Sequence, residues 1–155
     1  MTAPSHESVA VIGPLAVGIA MTILTVVIHA LALRSILGFV RYQRLHGRAG
    51  VTFWEDVIIV AGAVLVAFSA HLAEIAAWGF PFYRTGEFPD FAAAFYHSAI
   101  NYTTLGNEPP IASAAWKFLG PLEAADGMLM FGVTTAVIFA VIQRLMEARL
   151  GGSIH

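Results

Sequence analysis

The chain has 155 residues, 58% of them hydrophobic and only 12% charged, and it contains no cysteine. Soluble domains carry about 25% charged residues, so much of the usual polar cover is missing, and a mean hydropathy of +0.76 agrees. These values exclude a disordered chain, a nucleic-acid binder, an ordinary soluble enzyme and any thiolate chemistry, and they point to an integral membrane protein.

Val9 to Leu33 is a run without formal charge. At about 1.5 Å per residue it exceeds the roughly 30 Å hydrocarbon core. Met1 to Ser8 contain no Lys or Arg, so the positive flank of a signal peptide is missing and the run reads as a retained transmembrane helix. A second stretch follows Trp54-Glu55-Asp56 and runs from Val57 towards Phe80, meeting Glu74 on the way. A third spans Gly127 to Gln143. Gly120-Pro121 mark its start, Glu123 and Asp126 fall in the first turn, where the helix dipole favours acids, and Arg144 and Arg149 close it.

The charges set an expected orientation. Arg34, Arg41, Arg44 and Arg48 all lie between the first and second stretches. The positive-inside rule makes that segment and the C-terminus cytoplasmic and puts the N-terminus outside. On the outer face Glu87, Asp90, Glu108, Glu123 and Asp126 outnumber Arg84 and Lys117. An acidic outer face gathers cations.

The segment between the second and third stretches is neither a clean span nor a polar loop. Pro89-Asp90 reads as a helix start with Asp90 as cap. The uncharged Phe91 to Tyr102 then makes a helix of about 18 Å, half a bilayer. Thr103-Thr104-Leu105-Gly106-Asn107-Glu108-Pro109-Pro110 cannot continue it. A half-length helix ending in a Thr/Gly turn implies a re-entrant segment, which lipid tolerates only when protein buries it or when it lines a watery cavity.

The string from Phe95 to Gly106 resembles the pore helix and filter of pore-loop cation channels, and the downstream Gly120-Pro121-Leu122-Glu123 and Gly127 to Gly132 resemble small bacterial potassium-channel-like proteins. The resemblance covers roughly residues 54 to 146. It implies that the second stretch is the outer helix and the third the inner helix. It also implies that Thr103 to Glu108 form the filter, with Thr104, Leu105 and Gly106 holding a permeant cation through carbonyls and the Thr104 hydroxyl. Each chain supplies one such loop, so four chains close the ring. The match then breaks off: Asn107, Glu108 and Pro109 stand where potassium-selective filters continue with an aromatic residue, glycine and aspartate. Thr-Thr-Leu-Gly-Asn-Glu-Pro-Pro is closer to the filter of cyclic-nucleotide-gated channels, which implies weak selection between potassium and sodium and calcium binding at a Glu108 ring.

Several residues admit two roles. His71 and Glu74 share a helix face; they bond to each other, to the short helix or to Arg84, or they sense protons in gating, or they bind a metal. Gly132 is either a flex point or a small residue for close packing. Thr135, Phe139 and Gln143 share one face and are candidates to line a pore. His29 and His97 read as histidines satisfied by neighbours, and Asn101-Tyr102-Thr103 is an accidental glycosylation sequon.

The expected protein is thus an all-α membrane protein with three transmembrane helices plus a re-entrant pore helix and filter loop. Residues 1–50 would supply a peripheral helix and basic link, and residues 51–155 the pore domain. It would be a homotetramer in the lipid bilayer, conducting potassium and sodium passively, with no catalytic residues, cofactor or nucleic-acid partner. The altered filter leaves a rival: a non-conducting subunit that reuses the fold for assembly or regulation.

Overall fold

A computed structural model describes residues 11–106, 113 and 115–151. Its described residues form four helices: α1 over Ile12–Leu45, α2 over Phe53–Arg84, α3 over Phe91–Tyr102 and α4 over Leu119–Gly151. α1, α2 and α4 are long and apolar enough to cross a membrane, which suits a membrane-embedded, multi-pass chain. α3 has 12 residues, with the bounds its cap and its terminating Thr/Gly run predict.

The long helices outrun the apolar stretches that announce them. Uncharged sequence reports depth in hydrocarbon, whereas a helix ends only where its hydrogen bonding is capped or broken. α1 therefore continues through Arg34, Arg41 and Arg44, and the connection to α2 shrinks to residues 46–52. Gly47 and Gly50 turn the chain there with φ of +66° and +77°, a region that costs residues with a Cβ. Thr52 then caps α2, its Oγ1 accepting from the Glu55 amide at 3.2 Å. α4 starts at Leu119, beside the Gly120-Pro121 start signal and ahead of the charge-free run that begins at Gly127.

The chain divides into two compact units. One comprises Met1–Thr25 and Glu74–Leu129; the other comprises Val26–Ala73 and Met130–His155. In the second unit Ile36, Val40, Ile59, Ala63, Ala67, Val141 and Leu145 form the core. Small residues let the helices approach: a Cβ on Gly62 would meet the Phe39 ring at 2.9 Å. At one end of this unit Asp56 accepts from the Gly50 amide at 2.8 Å and pairs with Arg149. Large apolar side chains such as Ile23, Leu31, Leu65 and Phe139 stay exposed, as befits helices whose outer faces meet lipid instead of water.

Ala63 is fully buried in this core. Ala63→Leu should overpack it and cost about 1–3 kcal/mol, read as a lower thermal midpoint of the detergent-solubilised protein; an unchanged midpoint would refute the packing described.

Candidate functional site

The unit containing Glu74–Leu129 is organised around α3. Asp90 caps the helix: its backbone is extended and its side chain accepts from the Ala93 amide at 2.8 Å. One face of α3, with Ala94, His97, Ser98, Ile100 and Tyr102, is buried. Close contact there rests on glycine. A Cβ on Gly79 of α2 would lie 3.2 Å from the Phe95 Cα, and one on Gly127 of α4 would lie 2.2 Å from the Tyr102 carbonyl oxygen. The second distance is impossible for a real side-chain carbon, so only glycine lets α4 touch the last turn of α3.

Three buried carboxyls lie around this helix. Glu74 and Glu123 are fully buried and Asp126 nearly so. Glu74 accepts from the Tyr102 hydroxyl. Glu123 meets Ser98 and accepts from Asn101 Nδ2 at 3.4 Å. Ser98 Oγ also donates to the Ile75 carbonyl at 2.7 Å, which ties α3 to α2. Asp126 accepts from Trp78 Nε1 at 2.9 Å and from Thr25 Oγ1 at 2.7 Å, so it joins α4 to α2 and α1.

The C-terminus of α3 closes in a Schellman turn. The Leu105 amide donates to the Ile100 carbonyl at 3.0 Å, and the Thr104 amide to the Asn101 carbonyl at 2.9 Å. The residue in the left-handed position is Thr104, with φ of +58°. Glycine is the usual occupant; a β-branched residue there is strained by about 1–3 kcal/mol. Gly106 is left-handed as well, at +63°. Thr104, Leu105 and Gly106 are all exposed. A strained turn held by its surroundings, with its polar groups on the surface, is the arrangement that stores geometry for a ligand.

The residues expected to form a site are distributed as follows. Thr103 to Gly106 form one continuous turn, but the Thr103 hydroxyl bends back to donate to the Ala99 carbonyl at 2.7 Å, as a β-hydroxyl at a helix end commonly does. Asn107 and Glu108 lie outside the described residues. Glu74 bonds to the short helix through Tyr102, one of the partners its position allowed. His71 belongs to the other unit, where its Nε2 lies 3.0 Å from Thr134 Oγ1, and that hydroxyl lies 3.2 Å from His29 Nε2. Gly132 faces open space, with nothing within 4 Å of a Cβ built on it. Thr135, Phe139 and Gln143 are exposed.

Glu123 and Asp126 do not belong to an outer acidic face, as their count among the outer charges implied; both are buried. Their partners Ser98, Trp78 and Thr25 are far away in the chain, so no local pattern reveals them. The one local signal is an acid pair, three residues apart, in a stretch of α4 otherwise uncharged from Leu119 to Gln143, followed at once by Gly127. No protein-family model, no curated protein and no solved structure matches the chain.

Tyr102→Phe removes a donor from buried Glu74 and should cost about 1–3 kcal/mol of stability. Gly127→Ala should cost more, because the displaced atom is backbone. Equilibrium unfolding in detergent checks the order; a neutral Gly127→Ala would contradict the close approach.

Proposed function

We propose that the protein is one subunit of a homotetrameric, weakly selective cation channel of the pore-loop type. In this reading α2 is the outer helix, α3 the re-entrant pore helix, α4 the inner helix and Thr103 to Glu108 the filter. The observation that carries it is the exposed, left-handed turn at Thr104 to Gly106, at the end of a half-bilayer helix gripped by buried polar groups. A helix C-terminus bears partial negative charge, and carbonyls of a turn in this position replace the water around a cation.

The further parts of the reading follow from the residues. Thr104, Leu105 and Gly106 hold the permeant ion. Glu108 rings the mouth and draws divalent cations such as calcium. Thr135, Phe139 and Gln143, exposed at four-residue spacing on α4, line the path below. Arg34, Arg41, Arg44 and Arg48 place the α1–α2 connection and the C-terminus in the cytoplasm, and the N-terminus outside. α1 packs outside the pore pair. His71 and Gly132 are gating positions: the first through its hydrogen bond to Thr134, the second because open space around it leaves α4 free to bend.

Asn107, Glu108 and Pro109 break the pattern of a potassium filter, and this keeps the rival of a non-conducting assembly or regulatory subunit in view. Purified protein in liposomes separates the two. A channel gives cation flux that Gly106→Val abolishes, because a β-branched residue at a φ of +63° is strained by about 1–3 kcal/mol. Silence from the natural chain supports the rival. Bi-ionic reversal potentials should give similar permeabilities for potassium and sodium; a ratio on the order of hundreds, as strict potassium filters achieve, would contradict weak selectivity.

A further inference from the structure

Within the unit formed by Val26–Ala73 and Met130–His155, cationic charge collects in one place without an acid to answer it. Arg41 and Arg44 of α1 and Arg144 of α4 line a cleft of about 590 Å³ whose remaining walls are Leu37, Val40 and Leu45. No carboxylate lines it. Arg149 shows what an arginine with an acid in reach does here, since it pairs with Asp56. Among the described residues none of the three cleft arginines is ion-paired. Glu147, close to Arg144 in sequence on α4, is exposed and not part of the lining. A cation in the last turn of a helix offsets the dipole, which accounts for Arg44 but not for Arg41 or Arg144.

The cleft is amphipathic along its length. It shares Leu37, Val40 and Arg144 with a smaller apolar slot, lined also by Val137, Ala140 and Val141. Leu37 and Val40 on α1, and Val137, Ala140 and Val141 on α4, precede the arginines in sequence, with Leu45 alone beyond them, so the slot lies to one side of the guanidinium groups. Three like charges in one cleft repel unless an anion lies among them. Guanidinium groups present paired donors that match phosphate oxygens. An apolar slot continuing from such a group is what a phosphate attached to an acyl chain requires and what a free phosphate does not use.

We infer that this cleft binds an anionic phospholipid. Its phosphate is held by Arg41, Arg44 and Arg144, and only the first methylenes of one acyl chain enter the slot of about 60 Å³ beside Leu37, Val40, Val137 and Ala140. The site is built from α1 and α4 and does not depend on the pore reading. It gives α1 a role beyond spanning the bilayer, since this helix contributes two of the three cations that fix a lipid against α4.

Native mass spectrometry of the full-length protein in neutral detergent, titrated with dioleoylphosphatidylglycerol, tests this. The natural chain should retain the lipid. Arg144→Gln should weaken retention about fivefold, and Arg41→Gln with Arg44→Gln and Arg144→Gln together on the order of a hundredfold. Arg34→Gln, on α1 but outside the cleft, should retain it as the natural chain does. The three cleft arginines are exposed, and an unchanged circular dichroism spectrum verifies the fold of each variant. Four results would overturn the inference: no adduct on the natural chain, equal retention by the triple variant, equal retention of dioleoylphosphatidylcholine, or displacement of the lipid by an equal concentration of glycerol phosphate. The last would make the cleft a site for free phosphate esters.

Discussion

Twelve residues make about three helical turns, too few for a helix to hold together by its own hydrogen bonds, so the Thr104 turn depends on whatever grips α3. The grip is backbone contact made possible by glycine. Gly127 of α4 lies so near the Tyr102 carbonyl that no side chain fits between them, and Gly79 of α2 lies against the backbone at Phe95. Once α3 is this close, the polar groups on its buried face need partners, because a buried polar group without one is expensive. Ser98, Asn101 and Tyr102 find them in the Ile75 carbonyl, Glu123 and Glu74. The carboxyls are therefore part of the clamp and not part of the outer surface.

That clamp explains how a threonine keeps a left-handed backbone. The Schellman bonds alone are worth little more than the strain at Thr104, and glycine at that position would relieve it. With Tyr102 locked on both its carbonyl and its hydroxyl sides, the next residues have one route away from the helix. The outcome is a short exposed run, Thr104 to Gly106, whose shape is set from behind. In the proposed channel, a filter shaped in this way presents its carbonyls without first having to order them.

Much of this was readable from the chain alone, and the parts that were not share a cause. α3 was legible to the residue because both its ends are written locally: Asp90 after Pro89 at the start, and a Thr/Gly run that cannot continue it at the end. The long helices were legible as apolar stretches but not in extent. Arg34 ends the uncharged run, yet helical hydrogen bonding carries on through Leu45. Burial of Glu123 and Asp126 was not legible, because Ser98, Trp78 and Thr25 are brought to them only by folding. His71 was legible as a buried polar group, but its partner Thr134 is a residue that carries no signal of its own. Local chemistry fixes ends and caps; pairing across helices requires the fold.

The basic end of α1 gains meaning from the same comparison. Read as a link between spans, its arginines mark topology and offer general contact with anionic lipid, without a defined site. As helix, Arg41 and Arg44 are held at fixed spacing and share a cleft with Arg144, which turns an orientation signal into a site. Glu74, Glu123 and Asp126 are thus buried around α3, whereas Arg41, Arg44 and Arg144 line the lipid cleft.

The central claim is that four copies of the Thr104 turn surround an ion path. Determining the structure of the purified oligomer in lipid nanodiscs, in buffer containing a heavy monovalent cation, tests it most directly. The account predicts fourfold symmetry, with cation density on the axis beside the carbonyls of Thr104, Leu105 and Gly106. An assembly of another symmetry, or a fourfold one whose Thr104 turns face lipid with no density on the axis, would contradict it.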